Sequence, residues 1–549
     1  METLTPTPAA VPAPAPAPAA ADPATDTPGD AGRERGIRIG GRGARAVLLA
    51  VVLVVAAAGL VYELALVAVG SFLFGNTVQQ TALVLSVFVC SMGVGSLLAK
   101  PLLGRPVTAF AVLEAALALV GGLSVLLAYA AFAWLDLYEP AVVVVAAAIG
   151  AMVGAELPLL MSLVQRIRRQ DAGSAVSDLF AADYTGALVG GLVFPFLLLP
   201  WFGLLRGAIA AGVANALCAA VVAVWLFGPG LDRRRRGAIA ALFGAVVVVL
   251  AAAWWMTDDF EVSARQRMYR DPIVRTERSR YQEIVLTESV SVSGDRDTRL
   301  YLNGDLQFAS ADEYRYHEAL VHPAMGGRHA SVLVLGGGDG LAAREVLRYP
   351  DVARVVEVEL DPAVLDLARN DPRLTALNGR SLDDARVTLV TADAFTWLRE
   401  PRELFDVVVV DMPDPDDTAT AKLYSREFYE MVASVLAPGG RVVVQAGSPY
   451  FAPDAYWCVV TTLEAAGLAV TPYHVDVPSF GDWGFALAGR GSAPAAAVSP
   501  PPGGLRFADA ETLAAATTFP PDRRRSAVDV STLLHPVIAD YVARGWRHW

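Results

Sequence analysis

The sequence predicts a two-part protein: a bundle of about seven membrane-crossing helices, then a doubly wound α/β sheet preceded by a small β-rich portion. Three observations carry this. Hydrophobic residues make up 54% of the 549 and charged residues only 18%, and the mean hydropathy of +0.43 does not suit a wholly soluble chain. Apolar runs close to the ~20 residues needed to span hydrocarbon recur between residues 46 and 257. From residue 326 onward, strand-length apolar runs alternate with helical patterns, which predicts a parallel sheet.

Residues 1–45 divide into a Pro/Ala tail to about residue 31, too poor in apolar side chains to fold, and a basic flank with Arg33, Arg35, Arg38, Arg42 and Arg45. The run from Ala46 to Phe74 is far longer than a signal-peptide core and reads as an anchor. Further runs lie near 79–99, 107–134, 141–165, 184–204, 208–228 and 237–256, so residues 46–257 form the expected transmembrane domain. Positive charge falls on alternate loops, at Lys100 and Arg105, at Arg166, Arg168 and Arg169, and at Arg233 to Arg236, which marks those loops as cytoplasmic. Seven spans from a cytoplasmic N-terminus then put the rest of the chain outside. The supply of a cytosolic small molecule asks for the opposite, and the sequence leaves that conflict open.

The expected soluble domain covers residues 274–490. Its first part, 274–325, is β-rich (YQEIVLTESVSVS, TRLYLNGDLQF), and 326–490 alternates strand and helix through SVLVLGGGDG, ARVVEVELD, RVTLVTAD, FDVVVVD and GRVVVQAG. Residues 491–549 are a Pro/Ala linker and a C-terminal tail. A net charge of -12 excludes a nucleic-acid binder and suits a cationic ligand. Cys90, Cys218 and Cys458 stand far apart, without a CxxC or Cys/His cluster, so neither a disulfide framework nor a metal site is indicated.

The first strand-to-helix turn, Gly336-Gly337-Gly338-Asp339-Gly340, lets a ligand approach the backbone at a helix start. Alone it is a weak signal, and its bland reading is a tight strand-to-helix turn with no ligand. Glu359, about twenty residues on at the end of the next strand, suits vicinal ribose hydroxyls, and together they suggest a nucleoside site. Asp393, Asp411 and Asp414 stand at the ends of two further strands. Any one reads as a helix cap, but five carboxylates facing one crevice repel unless a cation joins them.

These stretches, with Tyr281-Gln282-Glu283-Ile284, Leu302-Asn303-Gly304, Gln307, Asp312-Glu313 and Tyr316-His317-Glu318, resemble the spermidine synthases, the polyamine aminopropyltransferases; the hydrophobic front half resembles their membrane-fused bacterial branch. The resemblance implies a methyltransferase-like (Rossmann-like) sheet. It implies aminopropyl transfer from decarboxylated S-adenosylmethionine, a co-substrate and not a prosthetic group, to putrescine or a similar amine, giving spermidine and 5'-methylthioadenosine. It further implies Asp411 as the base. Gln282, Gly336, Gly338, Glu359, Asp393 and Ala394 would hold the nucleoside, Glu359 on the ribose and Asp393 on the adenine amino group. His317, Asp339 and Asp414 would hold amine groups, although His317 reads equally as a polar neighbour at a helix start. Asp339 would repel the carboxylate of an ordinary methyl donor.

Two departures bear on the acceptor. Where the family commonly reads Asp-x-x-Asp-Pro-x-Gly-Pro-Ala, this chain has Asp416-Asp417-Thr418-Ala419 after Pro415, and Pro478-Ser479-Phe480 stands where Pro-Thr-Tyr is common. The alternatives are an S-adenosylmethionine-dependent methyltransferase, disfavoured by Asp339, Asp411 and Asp414, and a non-catalytic polyamine sensor or transporter. Within the spans, Glu63, Glu114, Glu156 and Asp183 are costly at membrane depth; they either hydrogen-bond between helices or line a route for polyamine cations. The expected partners are a small polyamine, the sulfonium donor and the lipid bilayer, and a homo-oligomer is compatible with the sequence.

Overall fold

The computed structural model describes residues 37–546 apart from 75–76, 136, 168–171, 292–293, 401–402, 500 and 502. The tail expected to be disordered, with Arg33 and Arg35, lies outside the described residues, as do Arg168 and Arg169.

The front half is helical: α1 (Gly41–Phe74), α2 (Thr77–Leu98), α3 (Pro106–Gly122), α4 (Ser124–Ala130), α5 (Tyr138–Ile167), α6 (Ala172–Val193), α7 (Leu199–Ala220) and α8 (Arg233–Met268). By length and composition five helices suffice to cross a membrane, or six if the pair bent by 47° around residue 123 is one span. The 51-residue stretch Val176–Leu226 within that count is not one straight rod. Gly203, at φ 72° and ψ -176°, leaves the helical region, and the chain turns back there.

Glycine contacts give the helix directions. Gly186 and Gly190 of α6 lie on the backbone of Leu53 and Ala57, so α6 runs parallel to α1. Gly122 of α3 faces Ala208, and Gly212 of α7 faces Ala118, so α7 runs antiparallel to α3. Gly150 and Gly154 of α5 press on Phe88 and Met92, so α5 and α2 are parallel. Small residues at these positions admit the neighbouring backbone, which is how the helices come so close.

The two ends differ. At one, Arg38 N–H donates to the Leu226 carbonyl (3.1 Å), Arg45 pairs with Asp178, and the Arg236 guanidinium lies against Gly228. At the other, Trp134 meets Phe260 (5.5 Å) and Arg206 pairs with Asp258 (2.7 Å). The sheet-forming half begins at this second end, across the bundle from the basic loops.

There, β1 (Ile273–Arg278), β2 (Glu283–Val290), β3 (Arg296–Leu302) and β4 (Asp305–Ala309) form an antiparallel meander. After α9 (Glu313–Val321) come β5 (Ser331–Gly336), α10 (Leu341–Leu347), β6 (Arg354–Glu359), β7 (Val387–Thr391), β8 (Phe405–Asp411), β9 (Leu436–Gln445), β10 (Leu468–Val477) and β11 (Gly481–Arg490). The seven strands lie in the order β10-β11-β9-β8-β5-β6-β7, parallel from β5 to β9, with β11 antiparallel to β9. Val332 to Leu335 and Val407 to Val410 are wholly buried, as continuous apolar strands covered on both faces should be. The order reverses between β5 and β8, and such a switch point opens a crevice at the strand C-termini.

The C-terminal segment does not hang free. Glu318 on α9 accepts the backbone N–H groups of Arg506, Phe507 and Ala508, and helix Val537–Trp546 stacks Trp546 on Phe451 (4.9 Å). Replacing Gly154 by Leu drives a side chain into the Met92 backbone, whereas Gly244 has open space beside it. Gly154→Leu should therefore cost about 1–3 kcal/mol or more, and Gly244→Leu close to nothing, in thermal unfolding of the detergent-solubilised chain.

Candidate active site

The glycine turn is shaped by what lies against it. Gly336 (φ 79°) has no room for a Cβ because the Asp411 carbonyl of the adjacent strand abuts it. At Gly338 a Cβ would sit 2.8 Å from Glu359 Oε2. The turn thus brings the ends of β5, β6 and β8 within van der Waals reach, and two adjacent positive-φ glycines, Gly336 and Gly337, need the freedom that only glycine has.

On the β6 side of the turn, Glu359 Oε1 accepts the Asp361 N–H (2.9 Å). Burial pushes its carboxyl up to about 7, against the pull of the backbone N–H groups. Asp361 caps the following helix, and its Oδ2 accepts from Ser279 (2.6 Å) and from the Gln282 amide (3.1 Å). Gln282 therefore reaches the crevice from the small sheet, tied to the residue two past Glu359. Asp393 caps the helix that starts at Ala394, with Oδ1 accepting from Phe395 and Thr396 N–H, and Oδ2 paired with Lys422 Nζ at 2.6 Å. Burial opposes its charge, yet Lys422 and the cap hold its pKa below the ordinary range.

On the other side the acids converge without matching cations. Asp411 Oδ1 accepts the Tyr316 hydroxyl at 2.6 Å, which leaves Oδ2 turned towards Gly337. Burial raises Asp411, and His317 and Tyr316 oppose the rise only in part. His317 is 1% exposed, with Nδ1 on the Glu313 carboxylate (3.0 Å) and carbonyl. Burial works against its charge, but Glu313, Asp339 and Asp411 lift it to about 9, so at neutral pH it is an imidazolium. Glu313 is itself gripped by Arg344 through both oxygens, and His317 together with Arg344 outweighs burial and holds it near 2. Asp339 accepts the Leu341 N–H (2.9 Å) and is raised by burial and by Asp411 to about 6. Asp414 accepts from Gln445 Nε2 (3.1 Å) and is likewise raised, to about 6, by burial and by Asp416.

The structure thus gathers Asp339, Glu359, Asp411, Asp414 and His317 around one switch point, with Gln282 and Asp393 on its flanks. Sequence reasoning missed Lys422, Gln445 and Asp305. Gln445 braces the Asp411–Asp414 loop by donating to the Met412 carbonyl (2.6 Å) and to the Tyr424 hydroxyl (2.6 Å). Asp305, on the meander, faces Asp416 and Asp414; shelter and those charges raise it to about 7. Its only sequence signal is that it follows the Leu302-Asn303-Gly304 stretch. Thr418 opens a short helix capped by Asp417, and Phe480 packs edge-on to Tyr316 at 5.8 Å, placing a phenyl ring beside the partner of Asp411.

Residues 313–496 match the Spermine/spermidine synthase domain. Polyamine aminopropyltransferase 1 of Streptomyces coelicolor is 57% identical over 509 residues, 92% of this chain and 96% of that protein. The polyamine aminopropyltransferase of Mycobacterium tuberculosis is 49% identical over 512 residues, 91% of this chain and 97% of that one. Coverage on that scale includes the helical bundle as well as the sheet. A solved spermidine synthase from Thermotoga maritima is 25% identical and covers 45% of this chain and 85% of its own, with a TM-score of 0.41. With near-complete relatives at such identity, the chain belongs to the spermine/spermidine synthase family, the polyamine aminopropyltransferases.

Proposed function

We propose that the crevice transfers the aminopropyl group of decarboxylated S-adenosylmethionine to a diamine such as putrescine, with Asp411 as the base. The family's activity makes the chain an aminopropyltransferase that uses this donor as a co-substrate. The observation that carries the residue assignment is the crowd of raised carboxylates around Asp411, beside a turn shaped for a nucleoside. An amine nucleophile arrives mostly protonated, with a pKa near 10. Asp411, its Oδ1 held by Tyr316, takes that proton on Oδ2, and a carboxylate whose pKa is raised towards the working pH is the better base. The freed lone pair attacks the carbon beside the sulfonium, the C–S bond breaks, and its electrons go to sulfur, releasing methylthioadenosine.

In this reading Glu359 takes the ribose hydroxyls over Gly336 and Gly338, and Gln282 steadies that edge through Asp361. Asp393 offers Oδ2, shared with Lys422, to the adenine amino group at the start of the Ala394 helix. Asp339 and Asp414 hold ammonium groups of donor and acceptor on either side of Asp411, and His317 eases the repulsion between Asp339 and Asp411 when the crevice is empty. Residues 274–490 form the catalytic domain and 46–257 its membrane domain, with 491–549 strapped back over the catalytic fold.

We further propose that the bundle crosses the lipid bilayer seven times with its basic loops in the cytoplasm. Arg and Lys in short loops set orientation, and Arg38, Arg42, Arg45, Lys100, Arg105, Arg166 and Arg233 to Arg236 fall at the end remote from the soluble half. A cysteine placed at exposed Arg524 should then react with a membrane-impermeant maleimide on whole cells; protection there would show that donor supply, not loop charge, sets the side.

Asp411→Asn should lower kcat by about 10²–10⁴ while leaving donor affinity within a few-fold, in a methylthioadenosine-release assay. Asp339→Asn should weaken donor binding and narrow its preference over S-adenosylmethionine, since the charge that repels a carboxylate is gone. The raised pKa values fix the pH dependence. Between the unfolded value near 4 and the folded 6 to 7, the folded state of Asp339, Asp414 and Glu359 binds more protons, so their contribution to stability falls as pH rises through that window. Putrescine needs the charged forms. Its thermal stabilisation should therefore be larger at pH 8 than at pH 5, with affinity falling about tenfold per pH unit for each carboxylate titrated.

A further inference from the structure

The bundle core contains a polar cluster that aminopropyl transfer does not use. Glu114 of α3, Asn215 of α7 and Tyr62 of α1 are each 0% exposed, and Glu156 of α5 is 5% exposed. These four residues from four helices lie within electrostatic reach of one another, with Asp183 of α6 beside Glu156. The Asn215 side chain approaches both Glu114 and Tyr62, yet no bond of ordinary hydrogen-bond geometry forms among the described residues to the Glu114 oxygens, the Asn215 amide atoms or the Tyr62 hydroxyl. Buried polar atoms are normally paired. Here five atoms of three neighbouring buried side chains lack a bond of that kind.

Among the described residues no cation pairs with them, and the ion pairs Arg45 with Asp178 and Arg206 with Asp258 lie at the two ends of the bundle. Two carboxylates in an apolar bundle must therefore carry protons or hold a positive ligand. The local backbone adds an acceptor: Pro158 has no N–H, so the Gly154 carbonyl in the turn that carries Glu156 loses its intrahelical donor. No group of three or more His, Cys, Asp or Glu suited to a metal ion occurs among the described residues. An alkylammonium head, by contrast, brings three N–H donors to Glu114, the Asn215 amide oxygen and the Tyr62 hydroxyl, and the Tyr62 ring adds a face that attracts cations. Glu63 and Asp183, read from the sequence alongside Glu114 and Glu156, are only half-buried and stand outside this core.

We propose that Glu114, Glu156, Tyr62 and Asn215 form a second site, for an organic ammonium ion exchanged against the protons of the two carboxylates, through which the bundle moves a polyamine across the bilayer. The inference rests on the membrane reading of the bundle and not on the assignment of Asp411. Each ammonium bound releases a proton from the carboxylate that receives it.

The full-length protein, reconstituted in vesicles that are acidic inside, should accumulate radiolabelled spermidine, and collapsing the pH gradient should remove the accumulation. Glu114→Gln and Glu156→Gln should each lower uptake at least tenfold, and Tyr62→Phe should lower it less. Aminopropyl transfer by the same preparations in detergent reports folding and tests the catalytic reading separately. Wild-type vesicles that accumulate no polyamine, variants that accumulate as much as wild type, uptake of sodium or potassium in its place, or protein that fails to float with the vesicles would each overturn the proposal. If both Gln variants lose transferase activity as well, uptake by Tyr62→Phe decides, and wild-type flux in that variant overturns it.

Discussion

Uncompensated negative charge at the C-terminal edge of the sheet is the constraint around which the soluble half is organised. Asp339, Asp411 and Asp414 share one crevice with a buried imidazolium, His317; burial raises all three, against the pull of His317 on Asp339 and Asp411 and of Gln445 on Asp414. Other features follow from keeping such a place intact. Arg344 and Glu313 fix His317 from behind, Gln445 and Tyr424 brace the loop between two of the acids, and Tyr316 ties Asp411 to α9. A crevice of this kind is poised for a polycation, whose binding discharges strain already present in the free protein.

The glycine turn shows how the same constraint reaches the backbone. Asp411 and Glu359 lie on strands flanking β5, and their atoms occupy the space that side chains at Gly336 and Gly338 would fill. The spacing of the acids and the identity of the glycines are therefore one requirement seen from two strands. It explains why a motif that is weak in isolation becomes specific once the acids that press on it are counted.

Much of this was legible in the sequence because the strands are parallel and buried, so each reads as a short apolar run ending in its functional residue. Glu359, Asp393 and Asp411 each close or directly follow such a run. What stayed hidden was whatever depends on segments far apart in the chain. Lys422 meets Asp393 across 29 residues, Tyr316 meets Asp411 across 95, and Asp305 approaches Asp414 from another sheet altogether. The apolar runs of the front half likewise gave the helices but not their directions, which rest on glycine contacts such as Gly186 on Leu53. The Pro/Ala composition after Arg490 reads as a linker, yet it is held by Glu318, whose burial no local pattern announces.

Helix α8 runs without interruption for 36 residues from Arg233 to Met268, about 54 Å at 1.5 Å per residue, and β1 begins only five residues later at Ile273. That short joint is clamped. Gln266 accepts the Ile273 N–H and donates to the Asp271 carbonyl, and Arg265 reaches Glu283 at the start of β2 (3.2 Å). Mechanically, the two halves share one stiff lever with no slack in it. A tilt of that rod against its neighbouring helices would carry the first strands of the meander with it, so the packing of the helical half sets where the small sheet stands against the crevice.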